Sequence, residues 1–264
     1  MLVDSHCHLD FPELSENITQ TLDLMKINQV LCALCVSVNL EKFPDVLALA
    51  EKYSCLYASV GVHPDATNNQ EPSVADLLKL ADHPRVIAIG ETGLDYYWHK
   101  EQRLAQKKPL IVHNRDAGAD TIRILKEEHA EKVGGIMHCF VDTWEIAEQA
   151  LALGFYISLS GIVTFKNAKS IQEIAKRIPL NRLLLETDSP YLAPVPFRGK
   201  TNQPAYLKYI AEEVARLRNI SFSEIKSAST NNFFTLFNLA CNQDENIKNI
   251  QYSDELKKEN NNLC

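Results

Sequence analysis

Eight short apolar runs alternate with amphipathic segments along this chain of 264 residues, and that alternation limits its fold more than any other feature. Because the runs are apolar on both faces, they are typical of parallel strands that helices cover. The sequence therefore predicts a (β/α)8 TIM barrel, with a doubly wound sheet as the alternative. The predicted strands are residues 2–6, 29–38, 55–62, 86–90, 109–113, 134–138, 155–160 and 182–187.

The pattern predicts one domain, over residues 1–242. Two helical patterns, 203–219 and 221–240, follow the eighth run and are expected to close the barrel. No linker or internal repeat divides the chain. Residues 243–264 are polar and lack a periodic apolar face, so we expect them to form a loose tail.

Composition and charge exclude several classes of protein. The net charge of −7 argues against a broad basic face for nucleic acid, but it allows an enzyme that holds one or two phosphates. The sequence has no apolar stretch long enough to span a membrane and no pattern of a signal peptide. An odd number of scattered cysteines, seven in all, fits free thiols in a reducing compartment, so we expect a cytoplasmic protein.

Two of these cysteines, Cys32 and Cys35, have the spacing of a redox pair. They lie inside a predicted buried strand, where residues three apart face opposite sides. We therefore interpret both as structural.

Polar side chains that can bind metal fall at the carboxyl ends of the predicted strands. In a TIM barrel these ends form one rim, where the active sites of this fold are built. Histidines and carboxylates that converge there are typical ligands of Mg, Mn or Zn, and six ligands suit two ions that share a carboxylate. The six are His6, His8, Glu91, His113, His138 and Asp188, and His63 lies on the same rim.

Neighbouring residues have simpler interpretations. His83 and His129 lie in polar segments and are expected to be solvated. Glu186, two residues before Asp188, can face the same side of its strand and orient a histidine ligand. The prolines after Asp188 are expected to stiffen the loop that holds it.

The chain resembles the TatD family of metal-dependent deoxyribonucleases, part of the amidohydrolase-like barrels. The resemblance runs in order from the first residues to about Ala240. The motifs that carry it are DSHCHLD, GVHPD, GETGLDYYW, PLIVHNRDA, MHCF, LLLETDSPYLAP and FRGKTNQP.

The resemblance implies specific roles for the rim residues. One ion would be held by His6, His8, Asp188 and Glu91, and Glu91 would bridge to a second ion. That second ion would be held by His113 and His138. The residues implied to contact substrate phosphate are His63, Arg115, Arg198 and Asn202. Arginine suits this task because its planar fork matches phosphate oxygens.

These roles predict a hydrolase that uses two divalent cations to cleave phosphodiester bonds of DNA. The expected substrates are single strands or 3′ ends, trimmed in the 3′ to 5′ direction, with Glu91 and Asp188 as catalytic residues and Asp188 as proton acceptor. Two alternatives stay open. The same ligands can hydrolyse a carboxylic ester or amide, such as an aminoacyl group on tRNA, and the barrel can be catalytically impaired.

The second alternative arises from a short connection between strands four and five. Family relatives carry about one more helix before the PLIVH run, whereas residues 100–108 leave room for about two turns. We expect a shortened crossover that leaves apolar surface of strands four and five exposed, and hence a protein that depends on metal or a partner for stability.

Overall fold

The computed structural model describes residues 1–65, 72–95 and 108–239, and these form the predicted (β/α)8 barrel. Eight parallel strands pair in chain order within this part of the chain. Their bounds are β1 Leu2–Cys7, β2 Val30–Cys35, β3 Leu56–Val60, β4 Val86–Asp95, β5 Leu110–Arg115, β6 Gly135–Met137, β7 Tyr156–Leu159 and β8 Leu183–Leu185.

Helices follow most of the strands and cover the barrel. Serine side chains begin two of them: Ser73 accepts a hydrogen bond from the backbone N of Asp76, and Ser221 from that of Glu224. The helices of the described residues are α1 Pro12–Ser15, α2 Ile18–Ile27, α3 Phe43–Lys52, α4 Val74–Ala81, α5 Gly118–Glu127, α6 Trp144–Ala152, α7 Lys169–Arg177, α8 Leu207–Arg218 and α9 Phe222–Leu236. No helix in this described set is long and apolar enough to cross a bilayer.

The barrel closes where β1 meets the segment after β8. The backbone N of Asp188 donates to His6 O at 3.0 Å, and the backbone N of His8 donates to Ser189 O at 2.8 Å. Cys7 and Ser189 form a parallel bridge between these two hydrogen bonds. The closing seam therefore lies at three of the predicted metal ligands.

Strand residues alternate between two apolar cores. Outward residues such as Leu110 and Val112 pack against the helices, while inward residues such as Ile111 and Ile136 fill the barrel. Cys32 belongs to the inner core and Cys35 to the outer one, and both are buried as thiols rather than as disulfides. The structural interpretation of this pair is confirmed.

Helix α9 closes the amino-terminal end of the barrel. Thr230 Oγ1 donates to Met1 O at 2.6 Å, and Asn232 Nδ2 donates to Leu183 O at 2.8 Å. Phe233, which is fully buried, packs with the inward residues of the strands. The opposite end, where the strands finish, stays free for a site.

Strands β4 and β5 correct one expectation. Both strands extend beyond the predicted ends and pair as far as Asp95 and Arg115, so Glu91 lies inside β4 rather than after it. Their apolar side chains are buried, so the prediction that part of their surface stays exposed is wrong. Buried residues of the neighbouring helices α4 and α5 share their outer core, because a barrel helix packs across more than its own strand. The predicted two-turn helix at residues 100–108 and the predicted tail at 243–264 lie outside the described residues, except for Lys108.

Candidate metal centre

The first group of rim residues lies at the closing seam, and we call His6, His8 and Asp188 the β1–β8 cluster. His6 Nε2 is 3.2 Å from His8 Nε2, because residues two apart in an extended strand face one side. Asp188 Oδ1 lies 3.6 Å from His6 Nε2 and 3.5 Å from His8 Nε2. Three potential ligand atoms from opposite ends of the sequence thus meet at one point.

The backbone after β8 turns sharply to bring Asp188 into this cluster. Asp188 has φ of 56°, a left-handed conformation that aspartate adopts more readily than most residues. The preceding Thr187 is tied to β1, since Asp4 Oδ1 accepts from its backbone N at 2.9 Å. Asp4 Oδ1 also accepts from the backbone N of His6 at 3.3 Å. One buried carboxyl group therefore aligns both sides of the cluster.

A second group lies beside it, and we call Glu91, His113 and His138 the β4–β6 cluster. Glu91 Oε1 is 2.9 Å from His113 Nδ1 and 2.8 Å from His138 Nε2. The other oxygen, Oε2, is 3.4 Å from His6 Nε2 in the first cluster. Glu91 thus touches both clusters with different oxygens, a geometry that allows one carboxylate to serve two ions.

Glycine at position 93 allows β4 and β5 to approach closely at this point. Gly93 has φ of 135°, and a Cβ atom there would lie 2.0 Å from His113 O. No other residue can occupy this site without moving the strand that carries His113.

The outer nitrogen of three histidines is fixed by an acceptor. His8 Nδ1 donates to Val36 O at 2.9 Å, His138 Nδ1 lies 3.0 Å from Glu186 Oε1, and His113 Nε2 lies 3.2 Å from Asp95 Oδ2. In each neutral ring the inner nitrogen then carries a lone pair that faces a cluster. This arrangement is typical of metal-binding histidines, whose second nitrogen is held by a carboxylate or carbonyl.

Glu91 is the electrostatic centre of the site. Burial disfavours its ionised form, but His138, His63 and His6 outweigh burial and hold the pKa of its carboxyl well below the usual range. Burial and the neighbouring His138 lower the pKa of His6. The site therefore contains a buried carboxylate at neutral pH.

Three histidines hold protons more strongly than usual. For His138, burial is outweighed by the charges of Glu91 and Glu186, and the pKa rises well above its usual range. Burial lowers the pKa of His8, but the hydrogen bond and charge of Asp188 outweigh it and raise the pKa to about 9. For His63, burial is outweighed by the charge of Glu91 and the hydrogen bond of Asp65, and the pKa rises to about 10. Positive charge is thus retained between the carboxylates.

A cavity of about 250 Å³ opens onto both clusters. His63 lines it, with its Nε2 atom 3.3 Å from Glu91 Oε1. The lining residues of the described part are His8, Phe11, Val38, His63, Asp65, Glu91, His113, His138, Asp188 and Tyr191.

The other predicted phosphate contacts lie outside that lining. Arg115 and Arg198 are exposed, and the guanidinium of Arg198 lies 4.2 Å from the ring centre of Phe165. Asn202 is buried, and its amide donates to Thr187 O at 2.8 Å and to Tyr191 O at 2.6 Å. Its side-chain oxygen accepts from the backbone N of Gln203, so Asn202 is engaged within the loop and supports the position of Tyr191.

Several residues of the site were missed by sequence reasoning. Asp65 pairs with His63, and Asp95 pairs with His113. Asp95 lies four residues after Glu91 in β4 and so faces the same side, but the predicted strand ended at residue 90. Phe11 and Tyr191, which line the cavity, had no signal of comparable clarity.

The donor set fits divalent cations. Ligand atoms around one ion at about 2.1 Å lie roughly 3.0 to 3.4 Å apart, close to the separations within each cluster. Nε2 of His6 and His8 face each other, and the outer nitrogen of His8 is already satisfied, which favours a shared cation between the rings. Imidazole with carboxylate suits Zn or Mn, and the carboxylates extend the choice to Mg.

Comparison with protein families decides the relationship of this chain. A family model described as TatD related DNase matches residues 3–238. The chain belongs to the TatD family. Two relatives are described as uncharacterised metal-dependent hydrolases: YabD of Bacillus subtilis is 42% identical, with 90% of this chain and 100% of YabD covered, and YcfH of Escherichia coli K12 is 42% identical, with 94% and 99% covered.

Solved structures of TatD relatives agree with the barrel. The crystal structure of the TatD homologue YjjV from Escherichia coli K12 has a TM-score of 0.82 and 28% identity, with 90% of this chain and 98% of YjjV covered. A TatD-family hydrolase from Entamoeba histolytica has a TM-score of 0.76 at 22% identity, which shows the shared fold, with 89% of this chain and 97% of that chain covered. By membership of the TatD family, the chain is a metal-dependent hydrolase.

YabD and this chain differ in the length of their matched regions. The match to YabD extends over 254 residues and covers 100% of YabD, but it covers only 90% of the 264 residues of this chain. YabD therefore has residues without a counterpart here. The short connection between strands four and five stays a prediction.

Proposed function

We propose that this TatD-family hydrolase cleaves phosphodiester bonds of DNA with two divalent cations and removes nucleotides from 3′ ends. The observation that carries the proposal is Glu91, whose two oxygens contact different ligand clusters. Paired cations suit displacement at phosphorus because they stabilise the attacking and the leaving oxygen together. The family model, described as TatD related DNase, supports DNA as the substrate.

The ligands are assigned by cluster. We assign the β1–β8 cluster to one cation, the β4–β6 cluster to the other, and Glu91 to both. Bound cations would supply Lewis acidity and would lower the pKa of a water molecule they hold, so that it could lose a proton near neutral pH. Glu186 would keep the His138 ring in place, since it accepts from both His138 Nδ1 and the backbone N of Cys139.

Proton transfer is assigned to Asp188. Its side chain is 16% exposed at the cavity, whereas that of Glu91 is 3% exposed, so a water molecule in the cavity reaches Asp188 more easily. The carboxylate would accept the proton of the attacking water.

Phosphate recognition is assigned to one histidine and two arginines. His63 lines the cavity and would donate to the reacting phosphate, with Asp65 holding its other nitrogen. Arg115 and Arg198, on the exposed rim, would contact phosphates farther along the strand. Asn202 is left out of this set because its amide serves the loop.

The proposal predicts that cation-free protein supplied with Mn²⁺ or Mg²⁺ shortens 5′-labelled single-stranded DNA from its 3′ end and releases mononucleotides. Arg198→Ala should lower kcat/KM about tenfold or more, because a charged hydrogen bond to phosphate is lost. Arg216→Ala is the matched control, since Arg216 pairs with Glu213 on the surface of α8.

Other outcomes separate the alternatives. An esterase in place of a nuclease would be established by two results together. The protein would hydrolyse an aminoacyl ester at a rate that Arg198→Ala does not change, and it would release no mononucleotides with Mg²⁺, Mn²⁺ or Zn²⁺. Bound cations without hydrolysis of either substrate would mark an impaired barrel.

A second prediction concerns protons. The raised pKa values of His8, about 9, and His63, about 10, mean that cation-free protein holds protons at pH 7 that the unfolded chain binds only below about 6.5. Their contribution to stability is full below that value and is lost as pH rises through 9 to 10. Cation binding must displace the proton of His8, so affinity for Mn²⁺ should rise about tenfold per pH unit for each proton released.

This dependence is measurable by titration calorimetry in two buffers of different ionisation enthalpy, at pH 6.5 to 8.5. The unfolding temperature of cation-free protein should fall between pH 7 and 9, and saturating Mn²⁺ should remove that decline. An affinity for Mn²⁺ that does not change with pH would rule out His8 as a ligand.

A further inference from the structure

Two aromatic side chains, Phe11 and Tyr191, form part of the cavity wall beside the β1–β8 cluster. The Phe11 ring lies 5.0 Å from His8, nearly parallel at 24°, and 6.1 Å from Tyr191 at 84°. The two rings are thus next to the ligands but offer no metal-binding atom except the Tyr191 hydroxyl. Cation binding therefore does not explain why these two aromatic rings line the cavity.

Packing does not explain Tyr191 either. The residue is 54% exposed, and it is the one aromatic residue among the large hydrophobic side chains that stay exposed in the described parts of the chain. Exposed aromatic surface beside a polar cavity is typical of a ligand contact. The ring therefore lies where a substrate can reach it.

The backbone of Tyr191 is held in place although its ring is exposed. Its N donates to Asp188 O at 2.9 Å, and its O accepts from the Asn202 amide at 2.6 Å. The residue that carries the ring is thereby linked to a ligand of the β1–β8 cluster. Because the backbone is already ordered, binding of a flat group to the ring would require ordering of the Tyr191 side chain alone.

We propose that Tyr191, with Phe11 behind it, is a stacking site for a nucleobase next to the reacting phosphate; this rests on the proposed nuclease function. Every base presents a π face, so stacking accepts all sequences and suits an enzyme that removes nucleotides one after another. An aminoacyl ester or a sugar phosphate without a base would leave this surface unused. Tyr191 is a binding residue in this assignment, because it acts on substrate affinity rather than on the reacting atoms.

Tyr191→Ala in the full chain with Mn²⁺ tests the site on two single-stranded oligonucleotides. They are identical except that the second carries abasic tetrahydrofuran residues at its last two 3′ positions. We expect Tyr191→Ala to raise KM for the normal oligonucleotide about fivefold to a hundredfold with little change in kcat. The abasic oligonucleotide should have a high KM with wild type and no further increase with Tyr191→Ala.

Two other variants define the effect. Tyr191→Phe keeps the aromatic face and should restore KM, and Val195→Ala, an exposed residue of the same loop outside the cavity lining, should leave KM unchanged. Phe11 is less suitable for the test, because its loss would also disturb His8. An equal increase of KM for both oligonucleotides, or none for either, would overturn the stacking site.

A binding measurement separates this inference from the nuclease proposal. Thymidine 5′-monophosphate should bind wild type more tightly than 2-deoxyribose 5-phosphate, and Tyr191→Ala should remove that preference. If DNA is not cleaved but the preference depends on Tyr191, the stacking site stands and the nuclease fails. If DNA is cleaved without such a preference, the nuclease stands and the stacking site fails.

Discussion

Glu91→Ala is expected to lower hydrolysis at least about a thousandfold and to reduce the content of both cations. A paired metal site contributes several kcal/mol to the transition state, and each 1.36 kcal/mol corresponds to a factor of ten. Glu91 touches His6 through one oxygen and His113 and His138 through the other, so its removal affects both clusters at once. Activity on single-stranded DNA and metal content by mass spectrometry would be measured on the same preparation.

The control for Glu91→Ala is an alanine substitution at a residue that does not contact either cluster. His83 pairs with Glu51 at 3.2 Å on the surface, and His83→Ala should change neither activity nor metal content. Glu91→Gln keeps the volume of the buried side chain and separates loss of charge from loss of fold, which circular dichroism would report. Wild-type activity and two bound cations in Glu91→Ala would remove the basis of the proposed centre.

Asp4→Ala is expected to lower the free energy of unfolding by on the order of 3 kcal/mol, because buried donors lose their acceptor. The fully buried carboxyl of Asp4 accepts from the backbone N of His6 and of Thr187, and its Oδ2 lies 2.5 Å from Thr187 Oγ1. Alanine leaves these groups unpaired in the closing seam. Denaturant unfolding of cation-free protein would measure the loss.

Asparagine at position 4 is the matched control, and it predicts a dependence on pH. Burial raises the pKa of Asp4 to about 8, although hydrogen bonds from Thr187 lower it, so the carboxyl is mostly protonated at pH 7. A protonated Asp4 donates to Thr187 Oγ1, whose own proton is then available to Ser189 Oγ at 3.0 Å. Asparagine can make the same donations.

The sign follows from linkage. Folded protein keeps a proton on Asp4 that the unfolded chain releases near pH 4, so this stabilisation is full below pH 4 and is lost as pH rises to 8. Asp4→Asn does not titrate and should gain stability relative to wild type between pH 5 and 8. Parallel pH profiles for the two proteins would show that Asp4 is ionised in the folded state.

The barrel and the two clusters were predictable because they depend on regular features of sequence. Apolar runs fix the strands, and the carboxyl ends of parallel strands share one rim, so His6 and Asp188 had to approach each other. The resemblance to the TatD family supplied their division between two cations. The family and the barrel are confirmed, whereas the ligand roles stay predictions.

Other features depend on side-chain orientation, which periodicity does not give. The pairing of His113 with Asp95 follows from which nitrogen of the ring turns inward. Asn202 was predicted to contact phosphate, but the turn at Asp188 brings the loop backbone around its amide. The burial of β4 and β5 was missed because buried residues of α4 and α5 share the outer core with them.

The barrel can close at its seam only after the segment that follows β8 has been synthesised. The partners at the seam, Asp4 and Thr187, are 183 residues apart, and translation at 5–20 residues per second separates them by roughly 10 to 40 s. During that time the β1 edge that later pairs with the segment after β8 has no partner from its own chain, and such an edge can pair with another chain. Chaperone contacts with the β1 edge should therefore end when residue 189 has left the ribosome.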